Sequence, residues 1–223
     1  MEMPPEDTPP EAYLPRSAYS ISRVAADPKT AGLEKPLEAI HGDLKKILRE
    51  REDLEEEAEK RSAVVDARDS ELDEDVGGFE LSLLALVTKN REDPRYRRYF
   101  PEGLREVTTA EPRKEEPELV GDMLDSMTED MNDPELGSLV ATWAPKLSNS
   151  RSRVLAASES LAISEKELAV LDDKRIPALM AAWRTEYKKL EGQLTAVYAS
   201  NPKKVARFFK PFRKRNKAKK TDA

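Results

Sequence analysis

Apolar residues recur at intervals of three and four along two long stretches of this chain, and between them the pattern collapses. From Pro36 the stripe runs through Leu37, Ile40, Leu44, Ile47, Leu54, Ala58 and Val65, and continues through Leu72, Val76, Phe79, Leu83 and Leu86. Such spacing places one apolar seam on a helix. Proline suits the first turn, where its missing N–H is not needed, so a helix is predicted over about 36–90. Arg51, Arg61 and Arg68 fall on or near the seam and make it imperfect. Gly77-Gly78 could break it, but the stripe resumes in phase beyond them, which favours a weakened, continuous helix.

A second long helix is predicted over about 134–200, opened by Asp133 as cap and Pro134 in the first turn. Val140, Leu147, Val154, Leu161 and Leu168 hold one heptad position, and Trp143, Ser150, Ala157, Ser164 and Leu171 the other. Pro177 should kink this helix, after which Leu179, Met180, Trp183, Tyr187, Leu190, Leu194 and Tyr198 resume the stripe. Residues 91–134 read as a connector with one short helix near "ELVGDMLDSM". The fold class that follows is all-α: an elongated, coiled-coil-like antiparallel helical hairpin over 33–212. Residues 1–32 are proline-rich and read as a disordered arm, and 213–223 as a basic disordered tail.

"DPRYRRYFP" at 93–101 has an echo in "NPKKVARFFKP" at 201–211. Asp93-Pro94 and Asn201-Pro202 each signal a capped short helix. Tyr96, Tyr99 and Phe100 share one helical face, and Val205, Phe208 and Phe209 repeat that spacing. Phe79 and Leu86 precede Asp93 as Tyr187 and Leu194 precede Asn201. The chain therefore reads as two diverged copies of one unit, long helix, turn and short aromatic helix, over about 33–110 and 134–212. In this reading Tyr96, Tyr99, Phe100, Phe208 and Phe209 are structural aromatic caps. A long helix ending in "DPRYRRYFPEGL" and a second ending in "NPKKVARFF" resemble a scattered set of bacterial all-helical proteins across about 35–212. The resemblance implies the helical fold and carries no activity with it.

Composition narrows the chemistry. Of 223 residues, 38% are hydrophobic and 37% charged, a balance that suits long helices covering one stripe each. No cysteine is present, which removes disulfides, thiolate nucleophiles and Cys-ligated zinc. The acidic, proline-rich opening lacks the basic and apolar regions of a secretory signal, and no stretch approaches the apolar length of a membrane span. A cytoplasmic protein is expected. From Lys203 on there are ten Lys or Arg against one acid, Asp222, so the net charge of −6 hides an acidic body and a basic end.

Few catalytic or metal-binding patterns survive inspection. Glu38-Ala39-Ile40-His41 has the Glu-x-x-His spacing of di-metal bundles, but those need two such motifs and the chain has one histidine; a solvent-facing His41 is expected. "DSELDEDVGG" at 69–78 suggests a calcium loop, yet Glu74 stands at the sixth position, where glycine is required; a charged helix face is expected instead. No glycine-rich phosphate loop occurs. The informative stretch is the basic, aromatic end, where Lys203, Lys204, Arg207, Lys210, Phe212, Arg213, Lys214 and Arg215 could contact phosphates or a lipid headgroup layer. The alternative is that Phe208 and Phe209 pack on the long helices. The expected function is non-enzymatic, a structural or protein-interaction scaffold without cofactor or metal and with a protein partner of unknown identity. The second reading is binding of nucleic acid or anionic membrane through the tail.

Overall fold

The computed structural model describes residues 3–5 and 7–210, and the described residues are all-helical, with no strand. The helices are α1 (Leu14–Ala25), α2 (Lys35–Leu86), α3 (Pro94–Tyr99), α4 (Leu104–Thr108), α5 (Glu115–Asp130), α6 (Gly137–Val170), α7 (Ile176–Val197) and α8 (Pro202–Ala206). A single 3-10 turn precedes α1 and a π-helical segment, Leu171–Arg175, joins α6 to α7. The chain divides into two compact units. One is drawn from both ends, up to Leu54 and from Leu168 on; the other is Glu55–Glu167.

In the terminal unit the core gathers Leu37, Leu44, Ile47 and Leu48 from α2 with Leu171, Ile176, Trp183, Tyr187, Leu190 and Leu194. The expectation of a disordered arm over 1–32 is corrected here. α1 packs into this core: Tyr13 is fully buried, its ring edge-on to Trp183 at 4.8 Å. Ser20 and Tyr187 share a hydrogen bond of 3.1 Å, and Ser17 shares one of 2.8 Å with His41 Nδ1. Ser17, Ser20 and Val24 line the buried face. Two of these are serines, so the stripe is invisible to a hydrophobicity count, yet their small size lets α1 come close and their hydroxyls find partners. His41 is accordingly half-buried rather than solvent-facing, and burial lowers its pKa.

The kink expected at Pro177 takes the form of a π-turn. Proline lacks an N–H, and its ring would crowd the carbonyl four residues back. The chain widens just before it: the Ile176 N–H donates to Leu171 O, five residues back. Leu171 and Ile176 are both buried at that five-residue interval, after which Trp183, Tyr187, Leu190 and Leu194 carry the stripe. The extra residue restores the phase. Arg51, the first irregularity of the α2 seam, donates from Nε to Asp172 of the π segment at 2.7 Å.

In the middle unit α2 runs on through Gly77-Gly78 without interruption. Its residues Leu72, Val76, Phe79 and Leu83 pack with Tyr96, Tyr99 and Phe100, with Val107, with Val120, Met123 and Met127 of α5, and with Val140, Leu147 and Val154 of α6. Val65, Ala157 and Leu161 form a smaller cluster. Arg61 donates to Ser160 O at 2.8 Å, and Arg68 pairs with Glu71, which also meets Arg153. Arg61 thus reaches across to a carbonyl of α6, while Arg68 pairs with a carboxylate of its own helix, and neither side chain joins the apolar cluster. α6 begins three residues later than Pro134 suggests, because Asp133 accepts from the Glu135 and Leu136 N–H groups and holds a turn first.

Candidate functional site

Both aromatic segments start from side-chain caps. Asp93 Oδ1 accepts from the Arg95 N–H at 2.9 Å with Pro94 in the first turn. Asn201 Oδ1 accepts from the Lys204 N–H at 3.0 Å with Pro202 in the first turn. In the middle unit Tyr96, Tyr99 and Phe100 are all buried. Phe79 meets Tyr99 edge-on at 5.1 Å and Phe100 at 5.8 Å. Tyr96 donates to buried Glu80 at 2.8 Å and Tyr99 to Asp130 at 2.6 Å. Burial and the acceptor carboxylate push the Tyr96 hydroxyl up to about 12 and that of Tyr99 higher still. Neither phenol ionises near neutrality, so both act as fixed donors.

The terminal unit handles its rings similarly. Val205, Phe208 and Phe209 are buried; Phe209 lies edge-on to Tyr187 at 5.0 Å and Phe208 stacks on Tyr198 at 5.9 Å. Lys204 is drawn into this packing, its ammonium 2.8 Å from Asp27 and 4.0 Å above the Tyr198 ring. Tyr198 donates to the same Asp27 carboxylate at 2.7 Å. Of the basic residues read as phosphate or lipid contacts, Lys204 is therefore engaged internally. Lys203, Arg207 and Lys210 are exposed and form no ion pair among the described residues. Phe212, Arg213, Lys214 and Arg215 lie outside the described residues.

A cleft of about 380 Å³ opens beside α3, lined by Arg91, Tyr96, Arg97, Phe100, Gly103 and Arg105 among others. Its cations are largely answered: Arg91 reaches Glu80 at 3.1 Å, and Arg97 binds both oxygens of Glu92. With Glu102 also at the rim, the cleft carries little net charge to draw an anion.

The most perturbed group is Glu116, in the first turn of α5. It is 1% exposed, and burial, reinforced by Asp69 and Asp73 of α2, pushes its carboxyl up to about 10. Asp73 is also raised, first by burial and then by Asp69. The stretch 69–78 lies wholly within α2, so the acids that look loop-like in sequence sit on a helix. Among the described residues no group of three or more His, Asp or Glu is arranged to hold a metal ion. Sequence reading passed over Glu116, though a signal existed: it stands four residues before Val120 and seven before Met123, on the face that α5 buries.

No protein-family model, no curated protein and no solved structure matches this chain. Among the described residues no helix is long and apolar enough to cross a membrane.

Proposed function

We propose that this is a non-enzymatic structural or protein-interaction protein, a cytoplasmic scaffold whose long helices are laid out as an antiparallel hairpin of two diverged helix–turn–short-helix repeats. The observation that carries the reading is α2, which continues for 52 residues through a glycine pair. A helix of that length rises about 1.5 Å per residue and offers a long, mostly charged outer face. The aromatic triplets support the same view, since their rings are occupied in packing each unit. A second reading, capture of a phosphate-bearing surface by the basic end, is favoured by Lys203, Arg207 and Lys210, which are exposed and form no ion pair among the described residues.

The two readings separate in one binding assay. Wild type is compared with a chain lacking 211–223 and carrying Lys203→Glu, Arg207→Glu and Lys210→Glu, changes that leave Phe208 and Phe209 in place. The scaffold reading expects neither protein to bind anionic vesicles or nucleic acid in physiological salt, and both to retain one stoichiometric protein partner. Wild-type binding to either surface that falls steeply with salt and vanishes in the variant would replace it with the second reading.

A further inference from the structure

Glu116 sits where an ionised carboxylate does not belong. Val120, Met123 and Met127 follow it on the buried face of α5, and neither of its carboxyl oxygens has a hydrogen-bond partner. The charged groups packed around it give no relief. From α2 come Asp69 and Asp73, one turn apart, and Asp73 Oδ1 is itself buried without a partner. Arg68 of the same helix is paired with Glu71, as is Arg153 of α6. Arg151 of α6 donates from Nε to Pro117 O and lies against Gly121. Arg113, ahead of α5, binds both oxygens of Glu165. On α5 itself Glu115 and Glu118 are exposed acids, and Lys114 before it is exposed. No cation is hydrogen-bonded to Glu116.

We propose that Glu116, Asp69 and Asp73 form a proton-operated latch: while a proton is held among the three carboxyls the first turn of α5 docks on α2, and when it leaves, α5 releases. The positive end of the α5 dipole favours an anion in this turn, but burying an unpaired carboxylate against two others opposes it more strongly. A neutral Glu116 can donate to Asp73 or Asp69, which turns a repulsive contact into a bond. The raised carboxyl of Glu116 gives the sign. The folded state holds this proton more tightly than the unfolded one, so docking is complete below the ordinary carboxyl value of 4.5 and is lost as pH rises toward about 10.

Hydrogen exchange of 115–130, referred to 176–197 in the same sample at each pH, follows the docking of α5. Between pH 6 and 9 the wild type should gain up to about tenfold in opening per pH unit, and E116Q, which keeps the shape and cannot ionise, should be flat. Infrared spectra of the full chain at neutral pH should show a protonated carboxyl band that E116Q lacks. D73N, which removes one opposing charge, should weaken the pH dependence, and it serves should E116Q fail to fold. A flat wild type, equal slopes in wild type and E116Q, or absence of the carboxyl band would overturn the latch. So would suppression of the wild-type slope by millimolar magnesium or calcium, which would identify a cation in place of the proton.

Discussion

The indole of Trp143 lies across Gly78 so closely that a Cβ built there would stand 2.4 Å from Cη2 and 3.0 Å from Cζ3. One residue earlier, Gly77 meets nothing within 4 Å. Adjacent glycines in one helix thus do different work, the first being incidental and the second a requirement of helix packing.

Alanine at the two positions should act with opposite sign. Gly77→Ala should stabilise by about 0.5–1 kcal/mol, the usual gain in a helix interior. Gly78→Ala gains the same propensity but must push the indole aside, and overpacking of that kind costs about 1–3 kcal/mol. Urea melts of the two variants check this, with unchanged slope and midpoints displaced in opposite directions.

Phe100→Ala and Phe209→Ala should each destabilise, by about 3–5 kcal/mol for a packed ring left as a cavity. The losses should be local: Phe100 lies among Phe79 and Tyr96 in the middle unit, and Phe209 against Tyr187 in the terminal one. Exchange mapping should show protection falling in 72–87 for the first variant and in 183–194 for the second. Variants that melt like wild type would make these rings surface features and remove the structural account of both aromatic segments.

Asp27→Asn should remove stability in a defined pH window. The Lys204 ammonium, then the Tyr198 hydroxyl, hold the Asp27 carboxyl down at about 2, against an ordinary 3.8. A depressed carboxyl contributes stability that is present above its unfolded value and lost as pH falls through the folded one. Wild type should therefore exceed the variant in thermal midpoint at neutral pH, and the gap should close between about pH 4 and pH 2. A constant gap down to pH 2 would show that Asp27 acts through shape alone.

Much of the helical order was legible because it rests on local rules. Aspartate or asparagine before proline suits a helix start, and Asp93 and Asn201 both accept the N–H bonds that the residue types suggest, whereas Asp133-Pro134 opens a turn ahead of α6. Val140, Leu147 and Val154 are buried as their spacing requires. The acidic run 69–78 is helical, as the missing glycine at its sixth position implied. α1 was missed because Ser17 and Ser20 count as polar until Tyr187 and His41 supply partners. Glu116 was missed because its place in the apolar period of α5 marks it only once that face is known to be buried.

What the sequence by itself determined, then, is the period of the apolar stripe and the capped short helices at Asp93 and Asn201, since each depends on neighbours within a turn or two along the chain. Only tertiary structure decided that Gly78 faces an indole and Gly77 faces nothing, that Lys204 folds inward while Lys203 stays out, and that Glu116 meets Asp69 and Asp73. Each depends on groups brought close by packing from distant parts of the chain, and burial, clash and pKa are set by that proximity.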